Sequence, residues 1–355
     1  MLMKKSLLLT LLLVTTIKIT GFACTTFFIN KNGRMVFGRN YDWVSGNGMI
    51  HTNLSGLNKT SFIMQDGATI SWTSKYGSIT FNQYGKEFPN GGMNEKGLVV
   101  ELMWLNQTRF EAIDSRPAVN VLQWIQFQLD NCSSVAEVIA TGQKIRVSSG
   151  GSIPLHYLVA DASGKTASIE FINGQAVIHS GKDLPFAVLT NNTYKQSTEY
   201  VRSLGQTRPQ EEQGFQRNSL DRFATVCSMV SDYSKQDFKQ PVTDHAFIIL
   251  DKVAQGEFTK WSIVYDITDK KIHFKTQQSP TKKTIDLKSF ALSCQAIPSM
   301  SDMNQTLNEF RFISYSHELN KKSVHTSFLE SREKVNLPQE LVNQLVLYPD
   351  TISCQ

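Results

Sequence analysis

The sequence predicts an α+β fold in which two mainly antiparallel sheets stack face to face and helices cover them outside. Three observations lead there. Strand-like runs and helix-like runs fall in separate groups along the chain. Asn32-Gly33 stands between two β-rich runs, a strong hairpin signal. Phe27-Phe28-Ile29 does not alternate with polar residues, so that strand is expected to be buried on both faces, as between sheets about 10 Å apart.

The elements follow in order. Cys24 to Asn30 reads as a strand, Lys31-Asn32-Gly33 as its turn, and Arg34 to Arg39 as the returning arm. Thr69–Thr73 and Ser78–Asn82 read as a second hairpin, and Leu98–Leu105 as a strand leaving the turn Asn94-Glu95-Lys96-Gly97. Pro117 suits a first helical turn ahead of Val121, Leu122, Ile125 and Leu129, which share one face. Ser134 with Glu137 forms a capping box for the next helix. Leu155–Ala160, Ala167–Ile172 and Gln175–His179 form a meander with Gly164 and Gly174 in its turns, and Ala187–Asn191 is a short strand. Leu220, Phe223, Val226, Cys227 and Val230 recur at helical spacing. Thr243 caps a helix that turns Ala246, Ile249, Leu250 and Val253 inward, and Gly256 stops it. Lys260–Asp266 pairs with Lys271–Lys275.

Residues 1–23 have the three parts of a secretory signal: Lys4 and Lys5, an apolar core from Leu7 to Val14, and small residues Gly21 and Ala23 before Cys24. Cleavage at Ala23–Cys24 would leave a chain that begins with cysteine, exported to a periplasm or beyond. A cysteine there is also what a lipoprotein offers for lipid attachment, in which case neither its thiol nor its amine would be free; a non-catalytic binding protein is the alternative that goes with it. No later stretch approaches the roughly 18 apolar residues of a membrane span. No linker, repeat or low-complexity run divides residues 24–355, which therefore read as one domain. A net charge of +5 with scattered Lys and Arg gives no nucleic-acid footprint. The five cysteines form no C-x-x-C and no metal-ligand spacing, so no metal or other cofactor is expected. Cys132 and Cys227 read as buried small hydrophobes, whereas Cys294 and Cys354 could pair in an oxidising compartment. His156 reads as a satisfied core or edge residue, and Asp244-His245 as a cap and a surface residue.

Five segments carry the chemistry: Cys24-Thr-Thr-Phe, Gly38-Arg-Asn-Tyr-Asp-Trp43, Asn94-Glu-Lys-Gly-Leu98, Leu189-Thr-Asn191, and Ser219-Leu-Asp-Arg-Phe223. In this order they resemble the choloylglycine hydrolase family, the bile salt hydrolases and penicillin V acylases among N-terminal nucleophile hydrolases. The resemblance runs over most of residues 24–275 and thins beyond. It implies a four-layer αββα sandwich and a metal-free amidase. It also implies roles: Cys24 as nucleophile, Arg39 beside the thiol, Asp42 on the amine, Asn191 at the oxyanion, and Arg222 as a second site arginine near a helix start.

The chemistry is self-consistent. A thiol needs a base or a lowered pKa to attack near neutrality. The α-amine of an N-terminal cysteine, with a reference pKa of about 7.7–8.0, supplies that base from the same residue. Arginine favours thiolate, and an aspartate accepting from the amine raises its basicity. Asn94 has turn chemistry and reads as structural. Trp104 stands where bile salt hydrolases of the Gram-positive type carry asparagine and related penicillin acylases tyrosine. With Trp43 it resembles the Gram-negative branch, and the two indoles would form an apolar wall for an acyl group. The expected partner is a small N-acyl amide: penicillin V or an N-acyl homoserine lactone, then conjugated bile salts. A homo-oligomer is left open.

Overall fold

The computed structural model describes residues 24–63, 67–148, 153–204, 214–235 and 240–355; the secretory-signal reading of residues 1–23 lies outside them. Two large antiparallel sheets face each other. The first runs, edge to edge, through Val188–Leu189, Thr25–Lys31, Arg34–Asp42, Thr259–Asp266, Lys271–Thr276 and Lys283–Asp286. The second runs through Gln175–Ser180, Thr166–Ile172, Leu155–Ala160, Val99–Trp104, Pro89–Asn94, Ser78–Asn82, Met49–Asn53, Ser299–Asp302 and Ile313–Ser314.

The hairpin at Asn32-Gly33 forms as expected. Both turn residues have positive φ, 53° and 78°, and Lys31 pairs with Arg34. Thr25 to Ile29 are all buried, because one face meets the second sheet and the other meets helices. Aromatic contacts stitch the sheets together; the Phe81 ring of the second sheet lies 6.0 Å from the Tyr265 ring of the first.

The helices are α1 (Val121–Asn131), α2 (Val135–Thr141), α3 (Tyr194–Ser203), α4 (Phe215–Lys235), α5 (Val242–Lys252), α6 (His317–Ser331) and α7 (Gln339–Leu347). Helices α4 and α5 cover the outside of the first sheet, while α1 covers strands Pro89–Asn94 and Val99–Trp104 of the second. This is the layered αββα order. Residues beyond 275 are integral to it: Lys283–Asp286 closes one edge of the first sheet, and Ser299–Asp302 with Ile313–Ser314 extends the second. Cys294 and Cys354 form a disulfide, and Cys132 and Cys227 are free and buried.

Several local expectations change. Ser71–Thr73 pairs back on Leu57–Thr60, whereas Ser78–Asn82 lies between Met49–Asn53 and Pro89–Asn94, so the two do not form one hairpin. Pro117 precedes a two-residue strand, Ala118–Val119, and Asn120 caps α1 by accepting from the N–H groups of Leu122 and Gln123. Ser134 accepts from the Glu137 N–H, but the Glu137 carboxylate closes on the Ser133 N–H, at 2.6 Å. In α5 the N-cap position is held by Pro241, which leaves Thr243 inside the first turn. That helix ends at Lys252, ahead of Gly256, which opens a short 3-10 turn. His245 is buried against the Tyr233 ring, 4.1 Å between centroids, not at the surface. His156 is a satisfied core residue, held between Glu170 Oε1 at 3.1 Å and the Thr190 carbonyl at 2.8 Å.

Candidate active site

Cys24 leads into the first strand, in peptide linkage to Ala23, and its side chain is buried. The hairpin register sets its neighbours. Thr25 lies opposite Asn40 and Thr26 opposite Arg39, which brings the end of the returning arm alongside Cys24. Arg39 Nη2 lies 3.9 Å from Sγ, and the thiol donates toward the Asp42 carbonyl at 3.9 Å. Burial pushes the thiol up to about 11, against the opposing pull of Arg39.

Asp42 is fully buried. Its Oδ1 accepts from the Thr259 hydroxyl at 2.5 Å, and its Oδ2 has no hydrogen-bond partner. Burial raises this carboxyl to about 6, although Arg222, Thr259 and Arg39 all favour its charge. An unpaired buried carboxylate oxygen is costly unless something fills its place.

Arg222 lies two turns inside α4, not at its start, so the helix dipole has little part in its placement. Its Nη1 donates to the Cys24 carbonyl at 2.7 Å and to the Thr25 hydroxyl at 2.5 Å, and its Nη2 donates to Asn191 Oδ1 at 3.0 Å. Burial lowers it to about 10. The Asn191 amide is thereby oriented: Oδ1 faces a donor, and Nδ2 donates to the Trp104 carbonyl at 2.8 Å. The structure thus gathers Cys24, Arg39, Asp42, Asn191 and Arg222 into one cluster. Asn94 stands apart, its amide spent on the Leu129 and Cys132 carbonyls and on the N–H groups of Lys96 and Leu98.

Trp43 and Trp104 both line the cavity in front of Cys24, with ring centroids 5.9 Å apart. Trp43 Nε1 donates to the Tyr84 hydroxyl at 2.8 Å, so its polar edge is tied off and its face is left to the cavity.

The sequence reading passed over Glu101. It is buried on the second sheet, ion-paired to Arg39 and accepting from the Tyr265 hydroxyl at 2.5 Å. Burial pushes its carboxyl up to about 7. Arg39 also donates to the Leu102 carbonyl at 2.7 Å, so its guanidinium is pinned from the opposite sheet. Gly91 makes the room: a Cβ there would overlap the Glu101 carboxyl group. The signal was present as a lone glutamate in the apolar run Val99-Val-Glu-Leu-Met. Among the described residues, no group of three or more His, Cys, Asp or Glu side chains is placed to hold a metal ion, and no helix is long and apolar enough to cross a membrane.

Comparison with known proteins agrees with this fold. Residues 24–236 match the family model for linear amide C–N hydrolases of the choloylglycine hydrolase family. A penicillin V acylase of Pectobacterium atrosepticum is 31% identical over 139 residues; the match covers 35% of this chain and 36% of that relative's length. The solved penicillin V acylase of Agrobacterium tumefaciens is 25% identical with a TM-score of 0.69, over 82% of this chain and 98% of that one. A mutant of the conjugated bile acid hydrolase from Clostridium perfringens is similar in fold, at a TM-score of 0.63 and 18% identity, over 82% of this chain and 97% of that one.

Proposed function

The chain belongs to the choloylglycine hydrolase family, and on that premise we propose that it is an exported amide hydrolase whose nucleophile is Cys24 once residues 1–23 are removed. The observation that carries the reading is Asp42 Oδ2, buried, unpaired and on the residue whose carbonyl faces the Cys24 thiol. A free α-amine on Cys24 would supply the missing donor.

In this reading the amine takes the thiol proton as Sγ attacks the amide carbonyl carbon. Arg39 favours the thiolate. Asn191 has two N–H donors; one is held by the Trp104 carbonyl and the other serves the oxyanion. The C–N bond then breaks, with the proton passing to the leaving amine. Water adds to the thioester, the C–S bond breaks, and the carboxylic acid leaves with the thiol restored. Before cleavage the peptide bond removes the base and the buried thiol stays protonated, so the precursor is inactive.

The cavity walls favour an apolar acyl group, as in penicillin V or an N-acyl homoserine lactone, over a polyhydroxylated steroid. The test is the intact mass of the exported protein together with hydrolysis of both substrates by wild type and Cys24→Ala. A mature start at Cys24, with activity lost in the variant, is expected. A lipid adduct on Cys24, or equal hydrolysis by both proteins, would refute the assignment.

A further inference from the structure

Two cavities meet beside the nucleophile. The first is lined by Cys24, Trp43 and Trp104. The second is walled by Phe88 and by Phe328, Leu337 and Leu345 of the C-terminal segment. Tyr84, Leu122, Ile153 and Val335 line both, so the two adjoin across a shared wall, the second lying farther from Cys24.

Polar groups lining the second cavity are already occupied. The Tyr84 hydroxyl accepts from Trp43 Nε1 and donates to the Ser331 hydroxyl at 3.0 Å, and its ring packs 4.9 Å from the Phe328 ring. Asn120 caps α1 with its side-chain carbonyl and donates to the Phe62 carbonyl with its amide. The far compartment therefore offers a ligand mainly apolar surface, with Tyr84 and Asn120 as its polar lining residues.

We infer that the second compartment is a distal subsite for a long, unbranched acyl chain, and that the C-terminal segment of Phe328 to Leu345 sets the acyl length this enzyme prefers. This rests on the hydrolase reading above, with the scissile carbonyl at Cys24 and the chain running past Tyr84. A rigid bicyclic or polyhydroxylated acyl group would stop in the first compartment. A slender alkyl chain passes into the second and gains apolar contact with each methylene.

The experiment is an acyl series from butanoyl through dodecanoyl on one common leaving amine. With wild type, kcat/KM is expected to rise about fourfold per added methylene until the second compartment is filled. Leu345→Trp and Leu337→Trp each place an indole in the far compartment and are expected to lower the dodecanoyl-to-butanoyl ratio about tenfold or more. The ratio within each variant cancels any general loss of folded enzyme. Binding of dodecanoate and butanoate to Cys24→Ser, followed by titration calorimetry, reads the subsite without catalysis. Tighter dodecanoate binding, weakened by Leu345→Trp, supports the subsite even if the nucleophile assignment fails. A plateau at short chains in wild type, or ratios and binding unmoved by both variants, overturns it. Cys24-independent turnover overturns the nucleophile assignment instead.

Discussion

At the scale of single residues, Asp42 ties stability to pH although it is fully buried. Burial raises its carboxyl from 3.8 to about 6 in the chain that still carries Ala23. A folded value above the unfolded one means that stability is fullest below about pH 4 and is lost as pH rises through about 6. The loss amounts to about 3 kcal/mol for a shift of this size. Asp42→Asn does not titrate. In the unprocessed chain it should gain about 3 kcal/mol over wild type at pH 8 and nothing near pH 3.5, measured by urea unfolding. On the proposed removal of residues 1–23, an α-ammonium facing Oδ2 should shrink that gain. An equal gain at both pH values, or in both forms of the protein, would show that Oδ2 does not await the amine.

At the scale of elements, the site depends on a contact between sheets. Arg39 comes from the first sheet and is fixed by Glu101 and the Leu102 carbonyl of the second. Gly91 on the neighbouring strand leaves the space for the Glu101 carboxyl group. Gly91→Ala should therefore strain that space, lowering stability by about 1–3 kcal/mol and displacing Arg39 from Cys24. Thermal unfolding checks the first effect. The second should appear as a slower reaction of the Cys24 thiol with a small alkylating agent. Unchanged melting and unchanged thiol reactivity would mean that Glu101 can move aside freely.

Much of this level was legible in the sequence. Asn32-Gly33 marked the hairpin because both positions need positive φ, a local requirement. Ser134 marked a helix start because capping is settled within one turn. The false hairpin between Ser71–Thr73 and Ser78–Asn82 shows the limit: strand partners are chosen across the sheet, and adjacency in sequence does not choose them. Arg222 was found by its motif, but its depth inside α4 was not, since helix boundaries are weakly encoded.

At the scale of the whole molecule, the C-terminal segment closes both sheets and walls the far compartment. The Cys294–Cys354 disulfide ties its last residues back to the body across a separation of 60 residues. Closing a loop of that length restricts the unfolded chain by about 4 kcal/mol in the chain-entropy account. Replacing both cysteines by serine should lower stability by up to that amount, seen as a fall in denaturation midpoint that a reductant reproduces in wild type. A midpoint insensitive to reductant would show that the bond is absent in the folded protein.

The sequence by itself determined the α+β class, the antiparallel hairpins and the residues of the cluster, because turn chemistry, periodicity and short motifs are local and survive in one dimension. It did not determine how the cluster is held together. The Glu101 clamp on Arg39, the orientation of the Asn191 amide, the unpaired oxygen of Asp42 and the adjoining cavities all arise where two sheets and a C-terminal segment meet. Those contacts join residues far apart in the chain, and only tertiary packing decides which buried polar groups find partners and which apolar surfaces are left facing an open space.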